Sequence, residues 1–486
     1  MSRIRTLLSE TAVYGLSSIL GRMLNFLLFP FYTHVLAPEA YGISVTIFAS
    51  FVFLNVIFQY GMESAFLKSA TADRIERAFP TALWSLLLSS LVLLTVLWVL
   101  LPLTRSILGV DAHQHILLAI AAGILLVDTL VTIPMATLRL QHKPGRFAAI
   151  RLSGIAINIG LNIYLLVVLE TGVIGIFWAN LASSLWMLSA NLPLLWQFGR
   201  RRPDRTLWVR MVRFGLPFVP GGLGYALTER VNVFFLQRMS EADIVQLYGS
   251  GVEASTLVGW FGGVSKLAVL LALGVQMFRY AWQPFFLQRS GDTDAPALFG
   301  RVSVLVTMGM VTAWLGVTLL LDDLVAMPLP GGRSLIDPRY WVALYIVPPL
   351  MVGYLFQGWY YLATATNYIH ETTRKFVPAT LFGGASAWVA NTLLVPTYGM
   401  LGAAWSTTLA YAVMALALIV MSRHQSVFRV SRWQLVVPVI LGALFYYVYH
   451  AWLGPLPALA ELGLLGGWGL LMVGLYRWWG RTDGSA

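Results

Sequence analysis

Runs of about 20 mostly apolar residues, each long enough to cross a bilayer as a helix, recur along the whole of this 486-residue sequence. One soluble core cannot bury so many of them. Lipid offers no water to bond backbone groups, so each run must be helical. We place fourteen spans, at 11–36, 41–67, 79–101, 114–138, 147–169, 173–198, 214–236, 245–275, 299–321, 341–366, 376–396, 400–422, 433–453 and 457–476. Charged residues make up only 11% of the chain, against about a quarter in a soluble domain. The expected class is an all-α polytopic membrane protein.

The basic residues orient these spans. With both termini inside, the inner side holds 25 Lys and Arg, counting Arg151 and Arg301 just inside the inner ends of their spans, the outer loops 4 and the rest of the spans 3. Positive-inside topology demands that asymmetry, and one missed span would reverse it downstream. The same loops account for the net charge of +11. The charge follows one membrane face, so no nucleic-acid partner is expected. The start, MSRIRTLLSE, is basic and then apolar, with no small-x-small cleavage site before Arg22. It reads as a retained signal anchor. The chain has no cysteine, and its seven His show no HxxxH or HxH spacing inside a span. No disulfide, thiolate nucleophile, metal site or cofactor is expected.

The two halves of the chain echo each other. Tyr14-Gly15-Leu16 opens the first span and Phe214-Gly215-Leu216 the seventh; Tyr41-Gly42 and Tyr248-Gly249 open the second and eighth. GVIGIFW at 172–178 matches GMLGAAW at 399–405 with both glycines and the Trp in register. Each copy has an even number of spans, so the repeat is parallel, about an axis along the membrane normal. The expected organisation is an N-lobe at 1–198, a cytoplasmic connector at 199–213, a C-lobe at 214–424 and two added spans at 425–486. Such repeats are a transporter feature, with the substrate path at the lobe interface.

Polar residues inside the spans are the candidate site. Arg22 lies about 16 Å along its helix from the inner end, too deep to reach the surface fully. Lipid exposure there costs roughly 2.5–3.5 kcal/mol on the insertion scale, so it should face protein or water. Gly15, Ser18, Arg22, Asn25 and Phe29 share one helical face. Asn55, Gln59 and Glu63 are spaced four apart in span 2 and should stack on one side. Span 7 has PFVPGGLGY at 217–225, a Pro/Gly interruption that points to a binding site, followed by Glu229 and Arg230. Span 8 carries Glu253 in its outer third and Lys266 deeper, near Gly259, Gly262 and Gly263, which either pack helices closely or leave room for the ammonium. Asp128 has Thr132 one turn on, and Asn158 and Asn162 read as polar glue between helices. Intramembrane ionisable groups mark function by default. Arg22, Asn25, Asn55, Gln59, Glu63, Glu229, Arg230 and Lys266 are therefore the candidate cargo contacts. Glu253 and Asp128 have no countercharge within one turn on their own helices, so they are the candidates for proton or sodium coupling.

Four stretches carry a family resemblance. ETAVYGLSSILGRMLNFLLFPFYTHVLAPEAYG at 10–42 resembles the opening of O-antigen-type polysaccharide-biosynthesis flippases, members of the multidrug/oligosaccharidyl-lipid/polysaccharide (MOP) exporter superfamily. NVIFQYGMESAF at 55–66, SKLAVLLALGVQMFRYAWQPFF at 265–286 with its AWxPF ending, and NTLLVPTYGMLGAAWSTTLAY at 391–411 resemble the same family. Span 7 departs from it, with Glu229-Arg230 where relatives usually have Asp-Arg. The resemblance implies two six-helix lobes in a V around a cavity lined by spans 1, 2, 7 and 8. It implies a polyprenyl-pyrophosphate-linked glycan as cargo, moved across the bacterial cytoplasmic (inner) membrane, with a glycan polymerase or ligase of the same pathway as possible partner. Buried cations suit that cargo: Arg can hold a pyrophosphate bidentately and Lys as a point charge.

Other readings stay open. A peptidoglycan-precursor flippase and a drug/cation antiporter share the superfamily, though a drug exporter would favour acids and aromatics without buried Arg and Lys. A membrane polymerase or ligase would need a sizeable outer loop or an acidic catalytic cluster. The longest outer loop, 322–340, is short, and no nucleophile–base motif or phosphate-binding glycine loop occurs. An enzyme is not expected.

Overall fold

The computed structural model describes residues 21, 23, 26, 28–70, 75–111, 114–329, 331–454 and 456–483. Arg22 and Asn25 lie outside the described residues. The apolar runs form helices: α1 (Pro38–Gln59), α2 (Met62–Ser69), α3 (Ile75–Val99), α4 (His115–Leu140), α5 (Pro144–Ile163), α6 (Val173–Ala190) and α7 (Arg205–Gly215). They continue as α8 (Phe218–Gln237), α9 (Ala254–Arg289), α10 (Ala295–Leu319), α11 (Val347–Ile369), α12 (Phe376–Met421), α13 (Arg432–Val448) and α14 (Ala458–Asp483). Among the described residues, eleven helical stretches are long and apolar enough to cross a membrane. The charged α8 is not one of them, and α12 covers two expected spans. Gly399, at φ 54° and ψ −127°, interrupts α12 where those spans meet. An L-residue with a side chain is strained there.

Three expectations need correction. Span 2 is not one helix: α1 stops at Gln59, Tyr60 and Gly61 take left-handed φ values of 30° and 72°, and α2 restarts at Met62. Span 8 begins at Ala254, because Glu241–Tyr248 is a separate helix capped by Ser240 and ended by Gly249 at φ 90°. The connector at 199–213 contains α7. Its Asp204 carboxylate accepts from the Leu207 N–H at 3.0 Å, and Leu207 and Met211, one turn apart, are buried. That spacing makes a surface helix rather than a loop.

By contacts the chain divides into two compact units, residues 1–263 with 395–399, and 264–394 with 400–486. The division falls within α9 rather than at the basic connector, because α8 packs along α1 inside the first unit. In that unit α4 and α6 pack together, and α5 packs on α6. One core cluster there centres on Phe66, Phe79, Ile133 and Phe198, a second on Ile47, Phe58 and Phe177. In the second unit α10 is the hub, against which α11, α13 and α14 pack. The Trp468 indole of α14 donates to the Thr312 hydroxyl of α10 at 3.0 Å, so the last two spans belong to that unit's body.

Candidate functional site

The sequence-derived residues separate on inspection of their neighbours. Asn55 and Gln59 stay on α1, but the left-handed turn at Tyr60–Gly61 takes Glu63 out of their stripe. Glu63 instead pairs with Arg139 at the end of α4. The two side chains are 36% and 35% exposed, so solvent screening leaves the pair about 0–1 kcal/mol. Glu63→Gln is accordingly expected to lower stability by less than about 1 kcal/mol, as checked by thermal unfolding in detergent against Arg139→Gln and the double variant. A larger, non-additive loss would give the pair more weight than its exposure allows.

Asn55 is different. Its side-chain oxygen is buried and accepts no hydrogen bond among the described residues. An unsatisfied buried acceptor costs about 1–3 kcal/mol, which suits a group that meets its partner only when cargo or water is bound. The helix that packs on α1 is α8. Its Pro217 and Pro220 do not break the span; they fall at the helix start, where a missing N–H costs little. Gly222 then lets α8 approach α1: a Cβ there would lie 2.8 Å from the Val56 side chain. Phe53 and Phe234 meet edge to face, with ring centroids 5.6 Å apart. The Thr46 hydroxyl donates to the Gln237 side-chain oxygen at 3.2 Å.

On α8 the Arg230 guanidinium lies 3.5 Å from the Glu229 carboxylate. The side chains are 38% and 30% exposed, so Arg230 is tethered yet reachable. Tyr41 lies within electrostatic reach of Arg230. Its ring sits 5.8 Å from that of Tyr32, whose hydroxyl donates to the Asn162 side-chain oxygen at 2.9 Å. The Asn162 amide in turn donates to the Asn158 carbonyl at 2.8 Å. A polar and aromatic chain thus runs from α5 through Tyr32 to Tyr41 of α1 and Arg230. Sequence reasoning missed Tyr32 and Tyr41, because their roles depend on how separate helices pack.

Lys266 is half-buried on α9. The glycines before it serve packing: a Cβ on Gly259 would sit 1.8 Å from the Pro38 carbonyl oxygen, and one on Gly262 2.5 Å from Val45. Glu253 is exposed at the head of α9, where it accepts from the Ser255 hydroxyl at 3.2 Å. Its expected depth inside span 8 is therefore corrected. Asp128 accepts from the Ser184 hydroxyl of α6 at 2.6 Å. A further acid, Glu461 of α14, escaped the sequence reading although it is a lone acid in an apolar run. It is 2% exposed, takes a hydrogen bond from the Tyr449 hydroxyl on one oxygen, and among the described residues has no partner on the other. Among the described residues no group of three or more His, Cys, Asp or Glu could hold a metal ion.

Residues 7–289 match the family described as polysaccharide biosynthesis protein. The chain belongs to that family. A comparison with curated protein sequences gives no match. Among solved structures, the chain is similar to "Lipid II flippase MurJ, inward closed conformation", with a TM-score of 0.73 at 13% identity over 97% of this chain and 99% of that one. It is also similar to an inward-facing multidrug resistance MATE transporter of the MOP superfamily, with a TM-score of 0.60 at 16% identity, covering 83% and 94% of the two chains. The outward-facing MATE transporter gives 0.56 at 18% identity, over 85% and 94%. At these identities the likeness is one of fold. This member of the polysaccharide biosynthesis family therefore shares the fold of the MurJ structure over nearly its whole length.

Proposed function

We propose that this chain is a flippase that carries a polyprenyl-pyrophosphate-linked oligosaccharide from the inner to the outer leaflet of the cytoplasmic membrane, for polysaccharide synthesis. The observation that carries the reading is Arg230, a tethered but reachable cation midway along α8 of a polysaccharide-biosynthesis family member. A permanent charge there is costly in lipid, and a diphosphate is the cargo that would repay it with charge-assisted bonds. In this reading Arg230 holds the diphosphate, while Asn55 and Gln59 offer hydrogen bonds to sugar hydroxyls. Lys266, Arg22 and Asn25 serve the same cargo. A glycan polymerase or ligase that consumes the flipped product is the proposed partner. Lipid II is the competing cargo, since the MurJ structure shares the fold. The test is translocation in proteoliposomes of defined lipid-linked glycans, with lipid II and a cationic dye as competitors.

For coupling, Asp128 is the better placed of the two candidates, since Glu253 is exposed at a helix end. Asp128→Asn is expected to remove the dependence of transport on an imposed proton or sodium gradient while leaving glycan binding within about twofold. A gradient response equal to wild type in both Asp128→Asn and Glu253→Gln would exclude both residues from that role.

A further inference from the structure

Six arginines and one acid, Asp204, lie between residues 200 and 213, all inside the first unit. Asp204 caps α7, and Arg201 pairs with Glu76 of α3. Arg200 lies over the Trp196 ring, its guanidinium carbon 5.6 Å from the centroid. Arg202, Arg205, Arg210 and Arg213 are exposed and form no ion pair among the described residues. Three tryptophans surround this segment. Trp84 of α3 donates its indole N–H to the Gly199 carbonyl at 3.1 Å, and Trp208 of α7 donates to the Ser85 hydroxyl at 2.6 Å. Trp84, Trp196 and Trp208 still expose 40%, 66% and 42% of their surface. Tryptophans at the edge of a membrane protein gather at headgroup level. The faces of α7 agree with that depth. Leu207 and Met211 face protein, Trp208, Val209 and the terminal Leu216 are exposed on one flank, and Arg210 and Arg213, one turn apart, line the other. An apolar flank beside a basic one is the pattern of a helix lying in the interface plane.

These features restrict the ligand. A free phosphate answers the guanidinium groups but leaves Val209 and Leu216 in water. An acidic protein or a nucleic acid matches the charge and likewise has nothing for the apolar flank. A zwitterionic lipid covers that flank, but its own cation is repelled by the arginines. A phospholipid with net negative charge satisfies both: its phosphate takes the planar guanidinium donors, and its acyl chains cover the apolar side chains. We propose that the 199–202 segment and α7 form a binding surface for anionic phospholipids of the adjoining leaflet, with the headgroup phosphate on Arg210 and Arg213 and a second contact at Arg202. The surface shares no residue with the candidate cargo contacts, and it does not rest on the flippase reading.

The probe is phosphatidylglycerol titrated into the full chain in detergent, with bound lipids counted by native mass spectrometry. Wild type is expected to bind it at least about tenfold more tightly than phosphatidylcholine with the same acyl chains, since each basic side chain at a surface favours anionic lipid severalfold. Arg210→Gln/Arg213→Gln should lose about tenfold or more in affinity for phosphatidylglycerol and little for phosphatidylcholine. Arg202→Gln, a single change in the segment before α7, should lose about fivefold. The control is Arg301→Gln/Arg374→Gln, which removes the same charge from exposed positions of the second unit and should bind as wild type does. Equal affinity of wild type for the two lipids, or unchanged binding by both the Arg210/Arg213 and the Arg202 variants, overturns the proposal. So does an equal loss in the control, since binding would then follow total charge and not this surface. Displacement of the lipid by an equal concentration of glycerol 3-phosphate, or by a glutamate-rich peptide, overturns it as well, because a free anion or an acidic chain would then be the better ligand.

Discussion

Replacing Arg230 by alanine is expected to cut lipid-linked glycan translocation by about 10- to 150-fold at normal membrane levels. A hydrogen bond to a charged group contributes about 1.5–3 kcal/mol, and each 1.4 kcal/mol is a factor of ten. The structure supplies a confound, because the same change strips Glu229 of the guanidinium 3.5 Å away. The double variant Glu229→Gln/Arg230→Gln separates the two causes. If transport fails because a carboxylate is left unpaired, the double variant restores it. If transport fails because the diphosphate has lost its partner, the double variant stays inactive, and Arg230→Lys recovers only part by providing a point charge in place of a planar fork. Translocation counted per folded transporter, in vesicles, is the measurement.

The second large effect is on folding. Gly61→Ala is expected to destabilise the protein by about 2–5 kcal/mol. Gly61 holds a φ of 72°, which costs an L-residue roughly 1–2 kcal/mol. An added Cβ would also lie 2.3 Å from the Gly215 carbonyl oxygen, and overpacking against fixed neighbours costs about 1–3 kcal/mol. This is where the α1–α2 turn rests on the end of α7. Gly160→Ala is the control, for that glycine lies in α5 with nothing within 4 Å of its would-be Cβ. Its thermal unfolding should match wild type or exceed it. Equal stability of Gly61→Ala and wild type would mean that the close approach at Gly215 relaxes at no cost.

What could be read from the sequence follows from which forces act locally. Hydropathy sets the spans, because lipid leaves no alternative to helix, so the long helices fall on apolar runs, whereas α7 lies in the connector expected to be a loop. The break at Tyr60–Gly61 stayed hidden because apolar periodicity continues through it; only the backbone angles and the contact with Gly215 reveal it. The short helix Glu241–Tyr248 falls within the expected span 8 for the same reason, although Ser240 and Gly249 bracket it. At the site, half-buried charge was legible at Arg230 and Lys266, since a cation in an apolar run is conspicuous. The Asn55 oxygen without a donor among the described residues and the Tyr32–Asn162 bond were not, because each is a statement about several helices at once. Glu461 was legible by the rule applied to the other acids and was passed over.

The flippase account meets its most direct test in proteoliposomes loaded with a fluorescent polyprenyl-pyrophosphate-linked glycan, where a membrane-impermeant quencher reports the leaflet. The account predicts that vesicles with the wild-type protein move the glycan between leaflets while empty vesicles and vesicles with Arg230→Ala do not, and that a cationic dye is left in place. Vesicles in which the wild-type protein moves the dye and leaves the glycan where it began would contradict it.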